Sequence, residues 1–370
     1  MIELKIEQPT LFVNKEQVLK NIRKMVEKAE KSNVIFRPHF KTHQSAEVGN
    51  WYKEFNVNAI TVSSVDMAEY FADNGWKDIT IAFPVNILQI DRINKLAEKI
   101  TLNLLVESED SVTFLNENIL APVNIWIKID TGYNRTGIFW DNEPILSHLI
   151  RSIKKSERLK FAGFLVHSGN SYHTKSTCEI EEVYEDTIIK LKNLQERMML
   201  QGFSIVKLSI GDTPCCSVVK DFSDVNEIRP GNFVFYDFMQ YTLGVCSENE
   251  IAVALACPVV ALHPEREEIL VYGGAIHLSK DNLVLQDGSK IFGAIALPDK
   301  NGWGKIIDGI FVKSISQEHG IIHASKQFIS NLKIGDILYI IPIHSCLTAN
   351  LMKKYYTLEN QEILMIPCKK

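Results

Sequence analysis

Lys41 stands in Arg37-Pro38-His39-Phe40-Lys41-Thr42-His43, directly after the short apolar run 34–36, which reads as a buried strand. An ammonium on a loop at the end of such a strand, held among a proline and two imidazoles, is placed to have its pKa lowered and to form a Schiff base with a carbonyl. A solvated surface lysine is the ordinary alternative, and it holds for most other lysines of the chain. On spacing alone the two readings balance.

Three further constellations could do chemistry. Gly211-Asp212-Thr213-Pro214 and Pro230-Gly231-Asn232 resemble a phosphate cradle: Gly211 and Gly231 let backbone N–H groups approach an anion, and Thr213 adds a hydroxyl. The alternative is that Gly-Asp and Pro-Gly merely turn the chain. His167 and Tyr172, in His167-Ser168-Gly169-Asn170-Ser171-Tyr172-His173, offer a flat ring an aromatic face and a hydroxyl, unless both are satisfied core residues. Pro342-Ile343-His344-Ser345-Cys346 follows an apolar approach at 337–341. If it is extended, His344 and Cys346 project to one side and can pinch an ion. One imidazole and one thiolate form a soft pair that suits zinc, with water or substrate completing the shell. Taken without context, a His-x-Cys spacing is more often structural.

These residues need elements to position them. Short β-branched runs alternate with amphipathic stretches through the first two-thirds of the chain, the pattern of repeated βα units. Candidate strands are 34–36, 59–62, 79–82, 102–106, 123–129, 161–166, 205–209 and 227–229. Helical patterns include 18–31, 87–99, 145–155 and 180–199. Eight such units in about 240 residues predict a closed (β/α)8 barrel, whose working residues follow the carboxyl ends of the strands. Lys41 follows the first strand, 130–137 the fifth, His167 and Tyr172 the sixth, Gly211 and Thr213 the seventh, and Gly231 the eighth. Loops seven and eight are where barrels hold phosphate. That repeated placement decides for Lys41 as a chemical group.

From about residue 251 the texture changes to short runs without long helices: 252–262, 269–272, 291–297, 310–315 and 337–341. The expected organisation is an α/β chain with a barrel over 12–245 and a β-rich domain over 246–370. Residues 1–11 join the second domain, and the extended Leu11-Phe12-Val13, which does not fit the barrel count, could join it too.

Composition excludes other classes. With 370 residues, 46% hydrophobic and 23% charged, the chain can bury a full core. A net charge of -5 without a long basic run argues against nucleic acid, and the lysines at 20–31 and 154–155 read as solvated helix faces. Met1-Ile2-Glu3-Leu4-Lys5 carries charges where a signal peptide needs an apolar core, and no apolar stretch approaches the roughly 18 residues of a membrane span. Seven cysteines without a Cys-x-x-Cys pair do not form a disulfide framework. A cytoplasmic location is expected.

Together these residues resemble the eukaryotic-type D-serine dehydratase and D-threonine aldolase family, pyridoxal-phosphate enzymes of the alanine-racemase-like fold. The markers are Pro38-His39-Phe40-Lys41-Thr42-His43, His167-Ser168-Gly169-Asn170-Ser171-Tyr172, Arg229-Pro230-Gly231-Asn232, Gln317-Glu318-His319-Gly320 and His344-Ser345-Cys346, spread over nearly the whole chain. The resemblance implies that Lys41 is the Schiff-base lysine, that Tyr172 lies at the cofactor's pyridine nitrogen with His167 in the same site, and that His344 and Cys346 hold a metal beside the substrate. Gly211, Thr213, Gly231 and Asn232 would bind the phosphate. Asp212 departs from the small hydroxyl residue expected in that loop, and its charge opposes a phosphate unless the side chain points away.

The chemistry implied is β-elimination from a D-3-hydroxy amino acid. Lys41 removes the α-proton, zinc polarises the β-hydroxyl, and a keto acid and ammonia result. In the aldolase alternative, acting on D-threonine or D-3-hydroxyaspartate, the Cα–Cβ bond breaks to give glycine and an aldehyde. The thiolate favours the dehydratase, because that family's aldolases commonly use harder ions such as Mn2+ or Mg2+. A non-catalytic cofactor carrier would leave the second domain and the His-x-Cys pair unexplained. A racemase needs a second base on the opposite face, and none of the tyrosines, Tyr236, Tyr272 and Tyr339 included, is convincing in that role. A homodimer is the family expectation.

Overall fold

Runs of β-branched and aliphatic residues with no polar alternation suit strands covered on both faces, and Ala59–Val62 is buried at every position. In the computed structural model, which describes residues 5–204, 206–285, 288–300 and 302–367, eight strands pair in parallel, though Ile35–Phe36, read as a buried strand, leaves Ile35 exposed and Phe36 half-buried. Their order is Ile35–Phe36, Glu227–Ile228, Lys207–Ile210, Leu159–Val166, Val123–Asp130, Thr101–Val106, Asp78–Pro84 and Ala59–Val62. A parallel bridge between His39 and Thr61, with the Phe40 N–H donating to the Thr61 carbonyl at 2.8 Å, joins the first strand to the last and closes a barrel. All eight expected strands are present within a few residues of their expected bounds. The seventh begins at Lys207, and Ile205, read as its start, lies outside the described residues.

The covering helices bury one stripe each. In Thr177–Leu200, Ile180, Tyr184, Ile188, Leu191, Leu194 and Met198 are buried at helical spacing, and the Ser176 side chain accepts from the Glu179 N–H to start the helix. Each fully buried aliphatic side chain contributes roughly 1.5–3 kcal/mol. Inside the barrel a polar relay links strands. Arg37 Nε donates to Glu227 at 2.6 Å, Ser209 Oγ donates to Glu227 at 2.7 Å, and Arg229 Nε donates to Ser209 Oγ at 2.6 Å. Breaking one member would leave a buried charge uncompensated.

The second unit is antiparallel. Glu268–Tyr272, His319–His323, Gly302–Ile315, Gly293–Asp299, Ile337–Pro342 and Val253–His263 pair in that order, and the last returns to the first, so six strands close on themselves. Thr10–Val13 extends this sheet, antiparallel to Val253–His263 and parallel to Lys354–Thr357.

By contacts, one unit comprises Arg23–Lys41 and Gly49–Gly231, and the other comprises residues up to Ile22, Thr42–Val48 and the chain from Asn232 onward. The division comes after Gly231, ahead of residue 246, because the intervening residues bond into the β unit. The Ala252 N–H donates to the Phe235 carbonyl at 2.8 Å, and Ser345 N–H donates to Asp237 at 3.0 Å. Residues 42–48 join it likewise: Tyr355 hydroxyl donates to the His43 carbonyl, and Ile366 N–H donates to that of Gln44 at 2.7 Å. Among the described residues no helix is long and apolar enough to cross a membrane.

Candidate active site

Parallel strands deliver their carboxyl ends to one end of the barrel, so the loops after strands one, five, six, seven and eight meet there. Lys41 is exposed, and its backbone N–H donates to His39 Nδ1 at 3.3 Å. That leaves the proton of a neutral His39 on Nε2. His167 Nδ1 lies 2.5 Å from the Gly211 carbonyl, which only accepts, so Nδ1 carries the proton and Nε2 is left with its lone pair. Burial, followed by the charge of Lys41, pushes both imidazoles well below the usual histidine range. The structure therefore brings Lys41 and His167 together, with both rings held neutral.

Three cations that the sequence reading did not single out join them. Arg135 and Lys128 act on His167, and Arg229 and Arg135 on His39. Burial, with Arg229 next, lowers Lys128 to about 7, and its ammonium donates to the Ile129 carbonyl at 2.7 Å. Burial lowers Arg229 to about 10. Arg135 lies over the Tyr133 ring at 5.2 Å, and Tyr133 meets His167 edge-on at 5.9 Å. A Cβ on Gly169 would come within 2.3 Å of that tyrosine ring, which is what requires glycine there. A signal existed: Lys128 stands between the buried Ile127 and Ile129 of its strand, and a charge in a buried run points into the barrel.

The loops after strands seven and eight are arranged around Arg229. A Cβ on Gly211 would lie 2.8 Å from Arg229 Cβ, so glycine is needed for this close packing as well as for any anion. Asp212 caps the short helix Thr213–Val218, accepting from the Cys215 N–H at 2.8 Å and from the Ser171 hydroxyl at 3.0 Å. Its carboxylate is thus engaged by its own helix and by Ser171 of the loop after strand six, and burial raises its pKa. Tyr172 hydroxyl accepts from the Thr213 N–H at 3.2 Å, and the Tyr172 ring lies 6.2 Å from that of His167. Thr213 Oγ1 is buried with no hydrogen-bond partner among the described residues.

Asn232, by contrast, sends its side chain into the β unit. Its Nδ2 donates to Asp237 at 2.6 Å and to Ser345 Oγ at 3.0 Å, and it lies 3.6 Å from Cys346 Sγ. Only its backbone follows Gly231.

The His344 and Cys346 pair is not assembled on an extended segment. The strand ends at Pro342, His344 is the N-cap of helix Ser345–Met352, and Cys346 lies in its first turn. The physical reason is Asp237: fully buried, it accepts from both the N–H and the hydroxyl of Ser345 and so turns the chain into the helix. The pair still meets, because the Cys346 thiol is within hydrogen-bond reach of the His344 ring. Thr42 Oγ1, on the residue following Lys41, lies 3.3 Å from Cys346 Sγ. Asp281 Oδ2 lies 2.8 Å from His344 Nδ1. Burial opposes charging His344, yet Asp281, Cys346 and Asp237 together push it up to about 11. A divalent cation would displace that proton. Among the described residues no three His, Cys, Asp or Glu side chains form a ready metal cage.

Residues 13–237 match the model of the alanine racemase N-terminal domain, and 252–358 match that of the serine dehydratase domain. A D-serine dehydratase from Dictyostelium discoideum is 31% identical over 386 residues, covering 96% of this chain and 94% of its own. The chain belongs to the D-serine dehydratase and D-threonine aldolase family. Its members are pyridoxal-phosphate-dependent lyases of alanine-racemase-like fold. The D-threo-3-hydroxyaspartate dehydratase of Delftia sp. HT23 is 24% identical over 364 residues, covering 96% of this chain and 95% of its own. Its solved structure aligns over 97% of both chains with a TM-score of 0.89. That protein has also been solved with a cysteine replaced by alanine, in a metal-free form, and with a histidine two positions earlier replaced by alanine. A D-threonine aldolase from Filomicrobium marinum shares the fold at 18% identity, with a TM-score of 0.82 over 97% of both chains.

Proposed function

We propose that this family member removes water from a D-3-hydroxy amino acid of the D-serine class, using pyridoxal phosphate and zinc and releasing a keto acid and ammonia. The observation that carries the reading is Lys41 at the barrel's carboxyl end, beside two neutral imidazoles and the cationic group Lys128, Arg135 and Arg229. The Thr213 hydroxyl, buried without a hydrogen-bond partner among the described residues, and the close-packed Gly211 fit a phosphate, and the surrounding cations fit the negative charge of cofactor and substrate.

When bound, the cofactor supplies the sink for electrons released at the substrate's α-carbon. Lys41 would hold it through its amine, and as a free amine Lys41 would take the α-proton from the face it occupies. His167, its Nδ1–H spent on Gly211, contributes no positive charge and holds the ring site in place. Gly231 and the Asn232 backbone complete the phosphate loop. His344 and Cys346 would hold a divalent ion, which would supply Lewis acidity toward a substrate hydroxyl. The Asp281 contact to Nδ1 leaves Nε2 as the ligating nitrogen, and the Delftia protein's cysteine and histidine variants parallel this pair. The thiol makes zinc the preferred metal over manganese or magnesium. A homodimer, which is the family pattern, and a cytoplasmic location complete the reading.

The test is incubation of zinc-loaded protein with D-serine, D-threonine and D-3-hydroxyaspartate, assaying keto acid, ammonia, glycine and aldehyde separately. Keto acid with ammonia is expected; glycine with an aldehyde would replace this reading by the aldolase one. Tyr172→Phe probes the ring site further. Removing the hydroxyl while keeping the aromatic packing should change the cofactor's absorption spectrum and slow turnover with the cofactor still bound. An unchanged spectrum and rate would reduce Tyr172 to a packing residue.

A further inference from the structure

We infer that Asp281 is a positioning residue for the metal pair, holding the His344 ring so that Nε2 is offered beside the Cys346 thiol; this rests on the metal reading of His344 and Cys346. The two residues are 63 positions apart, yet Asp281 Oδ2 lies 2.8 Å from His344 Nδ1. A ring nitrogen that donates to a carboxylate cannot also hold a cation, so the contact selects the tautomer with its lone pair on Nε2. Both ends of the contact are anchored. Helix Ala275–Leu278 ends at Ser279, whose φ is 73°, and Ser279 Oγ accepts from the Asp281 N–H at 3.1 Å. Thr348, on the helix that carries Cys346, donates its hydroxyl to the Leu278 carbonyl at 3.2 Å. The carboxylate and the ligand helix are therefore tied to the same turn.

An ordinary ion pair would look similar but behave differently. The side chains of Asp281 and His344 are 40% and 34% exposed, and a pair so placed adds little to stability. Metal affinity is the readout that separates the two roles. In full-length, cofactor-loaded protein, zinc dissociation constants would be measured by competition with a chromogenic chelator for Asp281→Ala, Asp281→Asn, His344→Ala and Cys346→Ala. Asp281→Ala should raise the constant roughly 10–100-fold, with melting temperature and cofactor absorption unchanged. Asp281→Asn should raise it less, because an amide oxygen still accepts from Nδ1–H. Wild-type zinc affinity in Asp281→Ala, alongside weakened binding in the His344 and Cys346 variants, overturns this inference alone. Wild-type affinity in all four variants overturns the metal reading and the inference together. If Asp281→Ala does not fold, an unchanged constant in Asp281→Asn is the overturning result.

Discussion

Lys41→Ala should leave the barrel folded and lower turnover by a factor on the order of 10^2–10^4, the range for losing a positioned acid–base group, with loss of the covalent cofactor link lowering it further. The fold should survive because Lys41 is exposed and the barrel closes through the backbone of His39, Phe40 and Thr61. The wild-type protein should be yellow, and borohydride should fix the cofactor to the peptide containing Lys41. Lys128 is the competitor that makes this a real test. It lies at the same end of the barrel, and burial has already lowered it to about 7, so it too could act as a nucleophile. Cofactor trapped on Lys128, or on any lysine other than Lys41, would sink the assignment of Lys41 and the proposed course of proton transfer.

Removing the metal should separate two steps that Lys41→Ala removes together. Chelation, His344→Ala or Cys346→Ala should abolish β-elimination, while slow exchange of the substrate α-proton with solvent persists, because Lys41 needs no metal to act as a base. NMR of D-serine in deuterated buffer reads the exchange, and keto-acid formation reads the elimination. Cys346→Asp offers a harder oxygen ligand and should shift the preference toward manganese or magnesium. Metal-free protein that eliminates water from D-serine at the full rate would show that the dehydratase mechanism is wrong, even with the cofactor assignment intact.

The chain's local pattern determined the barrel and the residues at its working end. Parallel barrel strands read as short apolar runs, and Lys41, His167, Tyr172, Gly211 and Thr213 each follow such a run, so counting strands was enough to place them at one end. The Arg229-Pro230-Gly231-Asn232 and His344-Ser345-Cys346 markers pointed to the family in the same way, since residues close in sequence keep their spacing after folding. Tertiary structure alone decided what surrounds them. Asp237 and Asp281 reach Ser345 and His344 across 108 and 63 residues, and no local pattern encodes such distances. Asp237 also made His344 a helix cap instead of part of a strand, an outcome that an apolar run ending in His-Ser-Cys does not announce. Asn232 shows the same limit within one residue: its sequence neighbours place its backbone directly after Gly231, but contacts with Asp237, Ser345 and Cys346 decide where its side chain goes. Backbone periodicity is a short-range property that sequence records directly. The partner of a buried carboxylate or amide is set by which distant segments burial brings together, and that becomes visible only in the folded chain.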